Sequence, residues 1–448
     1  MKRRTAILLL LTIMHLTHYS YASSPPFTKW NKTYGGSQPD MAYSVQQTKD
    51  NGYVIAGYTS SFGAGSADFW LVKTDSYGNT QWNKTYGGLG RDEAYSVQQT
   101  SDGGYILGGS TRSFGMGLSD FWLVRTDSSG ELMWNKTYGA PFFDVAYSVQ
   151  QTSDDGYIVA GSTNSLGSGS EDFWVIKADP NGGMQWNKTY GGLYDEVAYS
   201  VQQTNDGGYI VCGYTSSFGS GYEDFWLLKI DSNGSILLNK TYGGENSEYA
   251  YLVQQTNDNG YIIAGSTYSL GAGLDVWLVK TDSSGTMQWS KTYGGLLDEE
   301  AYAVQQTSDS GYIIVGFADS LNDNRDVWLI KVNSTGNIEW NQTYGGTEND
   351  EAYSVQQTSD EGYIIAGTTY SFGAAWDPDF WLIRLSYALK TDLNIDGRVD
   401  ILDISIAAKA YGSYVGHPRW NEAADVDKNG SINIIDISLV AKDYGKTT

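Results

Sequence analysis

A single cysteine, Cys212, leaves no partner for a disulfide within the chain, so stability must come from packing or bound metal rather than covalent staples. Histidine is nearly as scarce. His15 and His18 lie in the first twenty residues and His417 near the far end, with none between. Histidine is the commonest general base and metal ligand at neutral pH, so the central stretch is closed to Ser/His triads and to histidine-bound zinc. Basic charge is short as well: 28 Lys and Arg face 51 Asp and Glu, a formal charge of −23. That field disfavours nucleic acid and anionic lipid surfaces and favours cations and cationic surfaces. Long apolar runs are missing. The run at 6–14 is too short to span a bilayer, and no second one exists. Preceded by Met1-Lys2-Arg3-Arg4 and followed by Ser20-Tyr21-Ala22, it has the layout of a secretory signal peptide over residues 1–22. The remainder, with 25 basic and 51 acidic residues, is expected to be secreted or associated with the cell surface, without a membrane span.

What is present is repetition. The phrase W-N-K-T-Y-G-G, or a close copy, starts at Trp30, Trp82, Trp134, Trp186, Leu238, Trp289 and Trp340, a period of 52 residues four times and then 51 twice. Such a period suits one four-stranded propeller blade per repeat. Segments 43–48, 53–57 and 69–74 and each W-N-K-T-Y are short and rich in Val, Ile, Tyr, Trp and Thr, as strands are. Lys49-Asp50-Asn51-Gly52 and Asp75-Ser76-Tyr77-Gly78 between them are hairpin turns, with Asp for local backbone hydrogen bonds and Gly for positive φ. Helical periodicity is absent before residue 400. Strand counting predicts how the ring closes. The chain opens on a fourth strand (30–34) and ends its last blade on a third (381–384), so the orphan should pair with the C-terminal blade and hide two sheet edges. The predicted fold is all-β: a seven-bladed propeller over 23–388 closed by its N-terminal strand, then a small α-helical domain over 391–448. Cys212 falls where most repeats have Ala or Gly and reads as a small buried hydrophobe. The recurrent strand tyrosines and tryptophans read as core between blades. Asn31, Asn83, Asn135, Asn187, Asn239 and Asn341 each head an N-x-T sequon, which repetition of one strand explains as well as glycosylation does.

After Lys390 the vocabulary changes. Asp392, Asn394, Asp396, Asp400 and Asp403 stand at positions 1, 3, 5, 9 and 12 of a twelve-residue calcium loop, with Gly397 at the sharp turn of position 6 and Arg398 offering its carbonyl at 7. The pattern recurs 33 residues later as Asp425, Asp427, Asn429, Asn433 and Asp436, with Gly430 and Ser431 at 6 and 7. Apolar Val399 and Ile432 occupy position 8, where paired loops exchange short β-bridges. Similar helices are expected over 404–412 and 437–445, each with Lys in its last turn and Gly after it. Two loops in register predict two bound calcium ions.

This duplicated loop-plus-helix tail resembles a dockerin, over about 391–446. The resemblance implies docking to a cohesin-like partner, with positions 10 and 11 of each loop, Ile401-Leu402 and Ile434-Ile435, contributing to the partner surface. Asp at position 12 fits a dockerin. The apolar pairs depart from the hydroxyl residues of many cellulosomal dockerins, and the insert 413–424 with Pro418 and Trp420 is idiosyncratic. The repeats resemble kelch-like and quinoprotein-like seven-bladed folds in architecture only.

For the propeller, two rings of acids lie on the face carrying the loops between blades and between second and third strands. Asp40, Asp92, Asp144, Glu196, Glu248, Glu299 and Asp350 form one; Asp68, Asp120, Asp172, Asp224, Asp275, Asp326 and Asp379 form the other. An active site needs one acid tuned apart from its neighbours, and sevenfold recurrence argues for turn capping instead. No catalytic residue is assigned. The consensus breaks on that face, Arg91, Arg112, Phe142, Phe143, Tyr194, Tyr222, Arg325 and Trp376, are candidate ligand contacts, since aromatics at a propeller mouth stack on sugars or seat a peptide. The sequence thus reads as an exported, non-enzymatic binding module with a carbohydrate or protein ligand. The alternative is a carbohydrate-active hydrolase or lyase using loop-face carboxylates, with the tail for assembly.

Overall fold

The computed structural model describes residues 25–320, 324–373, 377–387, 393, 399, 401–415, 417, 419, 421–426, 428 and 431–446. The expected signal peptide lies outside them.

Seven four-stranded antiparallel sheets follow one another. Blade 1 comprises Asp40–Gln47, Tyr53–Thr59, Asp68–Thr74 and Thr80–Tyr86. Its second and third strands are buried at every residue, because a neighbouring blade covers each face. The core is accordingly divided among the junctions: Val54, Phe69 and Leu71 of blade 1 pack on Ala94, Tyr105 and Trp122 of blade 2. Phe69 meets Trp122 with ring centroids 4.5 Å apart, and Phe121–Trp174 and Phe173–Trp226 repeat the contact at the same distance. The sequon asparagines serve this scaffold. The indole N–H groups of Trp70, Trp122 and Trp174 donate to Asn83, Asn135 and Asn187 across the sheet at 3.3 Å.

The seam is where strand counting put it. Phe27–Tyr34 is the outer strand of blade 7, antiparallel to Asp379–Ser386, with Trp30 opposite Arg384 and Tyr34 opposite Phe380. Two local details differ from the expectation. First strands begin at Asp40 rather than Tyr43, and in the first hairpin the left-handed residue is Asn51 (φ 64°) rather than Gly52. Gly52 is needed for room, since a Cβ there would lie 2.1 Å from the Thr74 carbonyl oxygen.

Around the axis, the Oε1 atoms of Gln46, Gln98, Gln150, Gln202, Gln254, Gln305 and Gln356 each accept from a backbone N–H of the following blade at 2.5–2.6 Å, a closed ring of seven bonds. A second ring, from Gln47 to Gln357, accepts from the preceding blade at 2.8–2.9 Å. A cavity of about 280 Å³ is lined by the first of these glutamine rings with Val and Ser of the same strands. Next along the same strands, Tyr43, Tyr95, Tyr147, Tyr199, Tyr251, Tyr302 and Tyr353 form an unbroken annulus with neighbouring centroids 4.9–5.2 Å apart. These seven therefore line the axis and are not part of the core between blades. A register shift between Ala42 and Ser44, repeated in every blade, turns each of them out of the strand's alternation.

In the tail, α1 (Ile401–Ala410) and α2 (Ile434–Lys442) each begin three residues before the expected start. At α2 the reason is a capping box: Asn433 accepts from Ile435 N–H at 2.7 Å while Asp436 accepts from Asn433 N–H at 2.8 Å, which brings positions 10–12 of the second loop into the first turn. Position 8 also behaves differently. Ile432 bonds to Gly412 and Ser413 beyond α1, and Val399 to Gly445 and Lys446 beyond α2, so each loop is tied to the end of the other repeat. Leu393, Val399, Ala407, Ile432 and Val440 form the small core.

Candidate functional site

The acids of the two loop-face rings are committed to the scaffold. Each of the seven first-strand acids accepts from a backbone N–H of the loop leading to it, from Gly36 to Gly346, at 2.7–2.9 Å. The first five third-strand acids do the same for the preceding loop, from Ala64 to Asp68 at 2.6 Å to Ala272 to Asp275 at 3.2 Å. All of the fourteen except the half-buried Asp326 are buried. The rings also face each other across blade junctions. A Cβ on Gly87 would lie 1.7 Å from Asp68 Oδ1 and 2.8 Å from Asp92 Oδ2, so the two carboxylates share one small space that only glycine leaves open. Burial, with the Asp92 charge added, pushes Asp68 up to about 6.

The consensus-breaking residues fall into groups. Arg91 and Arg325 enter equivalent blade junctions from opposite sides: each guanidinium lies over an aromatic ring of one blade and pairs with a glutamate of the next. Arg91 is 4.8 Å from the Tyr58 centroid and 2.5 Å from Glu93, and Arg325 is 4.2 Å from the Phe317 centroid and 2.8 Å from Glu351. Arg112 lies over Phe143 at 5.7 Å, with Phe142 exposed beside it. Tyr194 and Tyr222 are exposed on separate loops, and Trp376 lies outside the described residues. Sequence reasoning missed the residues beneath them. Tyr95 and Tyr353 donate to Glu93 and Glu351 at 2.7 and 2.6 Å, and Tyr251 and Tyr302 to Glu300 at 2.6 and 2.9 Å, so the annulus carries carboxylates on its rim. The available signal was the variable residue of D-x-A-Y, which is Met41, Glu93, Val145, Val197, Tyr249, Glu300 and Glu351.

In the tail, Asp403 and Asp436 at loop position 12 are fully buried and Asp425 at position 1 is buried too. Asp403 accepts from Leu393 N–H at 2.7 Å. Buried carboxylates are costly unless bonded or bound to metal, and hard oxygen donors are what calcium takes, so these residues fit the ion. Ser431 and Asn433 are described at positions 7 and 9; Asp392, Asn394, Asp396, Arg398, Asp400, Asp427 and Asn429 lie outside the described residues. Among the described residues, no three His, Cys, Asp or Glu side chains gather as a metal set. Ile401, Leu402, Ile434 and Ile435 are all more than half exposed, as two equivalent pairs on the first turns of α1 and α2. No helix among the described residues is long and apolar enough to cross a membrane.

Among solved structures, the chain is similar to Sqt1 from Chaetomium thermophilum (12% identity, 74% of this chain and 80% of that one, TM-score 0.44). It is also similar to a protein of unknown function from Dyadobacter fermentans (11% identity, 80% and 99%, TM-score 0.44). Likenesses this distant carry no functional argument. A comparison with curated proteins found no match. Residues 390–443 match the family model of the dockerin type I domain, and the chain thus joins a seven-bladed β-propeller to a dockerin-like tail.

Proposed function

We propose that this chain is an exported, non-enzymatic recognition module: the propeller offers its loop face to a carbohydrate or protein ligand, and the tail, loaded with two calcium ions, docks to a cohesin-like partner. The observation that carries the docking half is the paired exposure of Ile401-Leu402 and Ile434-Ile435 within the dockerin match. An exposed apolar pair repeated on equivalent helices is what a partner surface requires. For the propeller, thirteen of the fourteen ring acids on which a hydrolase would draw lie below the surface, most of them in turn-stapling bonds. Calcium in the loops would neutralise carboxylates such as Asp403 and Asp436 and hold the helix starts in place. Binding to the folded state alone stabilises by about 2.7 kcal/mol at 100 times Kd.

Titration calorimetry of the full chain against a type I cohesin tests the docking half. Binding is expected with calcium and lost with chelator, and Ile401→Asp with Ile434→Asp should weaken it. Equal binding in chelator, or none under either condition, overturns the reading.

A further inference from the structure

Each blade junction presents the same slot to the loop face. It is formed by the sixth residue of one second strand, the residue before the next third-strand acid, the residue before the following blade's first acid, and the second residue of that blade's first strand. Parallel bridges between Ala67 and Arg91, Ser119 and Phe143, and Glu171 and Asp195 fix the equivalence. Two slots are filled from within by Arg91 and Arg325, each stacked on an aromatic ring and paired with a glutamate. The slot between blades 3 and 4 has the opposite content. Glu171 and Asp195 face each other where Ala67 and Arg91 stand, and burial, followed by the neighbouring Asp195 charge, raises Glu171. At the position of Tyr58 is Ser162, 1% exposed, whose hydroxyl has no partner of normal hydrogen-bond geometry although it lies close enough to Glu171 and to Tyr147 to oppose the rise of each. Ser170 donates to Asp195, and no base reaches either acid among the described residues. Tyr194, exposed, stands in the loop above.

We infer that the slot between blades 3 and 4 binds a guanidinium group between Glu171 and Asp195, in the space that the chain's own arginines fill in the matching slots, with Ser162 and Val197 standing where those slots have an aromatic ring and a glutamate. A planar guanidinium offers paired donors to two carboxylates at once, and Ser162 in place of Tyr58 puts a hydroxyl rather than a ring at the floor. The inference rests on the loop-face reading above and names its ligand class.

Agmatine and a blocked Gly-Arg-Gly tripeptide are titrated into the full chain by calorimetry, with cadaverine as the ammonium control. Saturable agmatine binding is expected, weaker for cadaverine. It should be reduced at least about tenfold in Glu171→Gln/Asp195→Asn, the loss that corresponds to about 1.4 kcal/mol. Binding of the tripeptide as well makes the source a protein side chain, and agmatine alone a free guanidine. Asp195→Arg supplies the cation from within, so it should raise the melting temperature and abolish agmatine binding. Unchanged circular dichroism and cohesin docking in the variants exclude misfolding. No agmatine binding, equal binding of cadaverine, or binding unaltered in the double variant overturns the site. If the site fails while cohesin still docks in calcium and the propeller captures another ligand, the module reading stands.

Discussion

The two rims of the propeller carry acids in every blade and treat them in opposite ways. Each third strand has an aspartate at its loop-rim end and, five residues on, a lysine or arginine at the turn rim. At the turn rim Lys73, Arg125, Lys177, Lys280, Lys331 and Arg384 pair with Asp50, Asp102, Asp154, Asp258, Asp309 and Asp360 at 2.5–3.0 Å, and Lys229 with Asp206. At the loop rim Asp68 meets Asp92 instead, and burial with like charge raises it to about 6. An acidic count therefore says nothing about how a fold answers pH; the partner decides.

Opening the seam tests both rims together. Deleting 25–36 removes the outer strand of blade 7, exposes the edge of 379–386 and takes away the loop that Asp40 staples. Stability should fall by more than for any substitution below, and sedimentation should detect association through the free edge. A monomer as heat-stable as the parent would refute closure.

Next in size is Lys280→Met. It strips Asp258 and the Thr281 carbonyl of a buried donor. The cost should be about 2 kcal/mol in urea unfolding, less than for a fully buried pair because Asp258 is half exposed. At the turn rim Lys229 and Thr204 draw Asp206 down to about 2, against opposing desolvation. A depressed folded value gives stability that is full above the ordinary 3.8 and lost as pH falls towards 2. Lys280→Met should flatten part of that acid limb, since it removes the hydrogen bond and charge of Lys280 that lower Asp258 and leaves burial opposed only by Thr256 and Gly260.

The smallest effect has the opposite sign. Asp68 Oδ2 accepts from Ala64 N–H, so in Asp68→Asn the amide oxygen takes that place and the NH₂ turns towards Asp92. At pH 7 the variant should be more stable by about 1 kcal/mol. A raised folded value means that the native state holds the extra proton between pH 4 and 6, so parent stability declines as pH rises through that window. The variant should lose part of that decline; an unchanged slope would separate the loop rim from the pH response.

Much of this was legible in the sequence. The period gave seven blades, the displaced W-N-K-T-Y phrase gave the seam, and oxygen donors at fixed spacing located the tail loops. What escaped notice depends on closure. Tyr43 sits at a shift in strand register, so alternation could not place it on the axis, and the annulus exists only once seven strands surround a common line. The facing of Asp68 and Asp92 is invisible for the same reason, because it joins residues of different blades through the space beside Gly87. The calcium-loop reading assigns Ile401 and Ile434 to the loop, whereas both lie in first helical turns, Ile434 because Asn433 caps α2 directly before it.

The glutamine rings have a topological consequence. Each blade supplies an acceptor to the next and takes one from the one before, so an open row of two blades and an open row of six leave the same number of bonds unmade at their ends. Lengthening the row never improves matters; only joining the last blade to the first brings the number to zero. Completion is thus a single event shared by all seven blades, and a half-built circle has no resting place short of the whole.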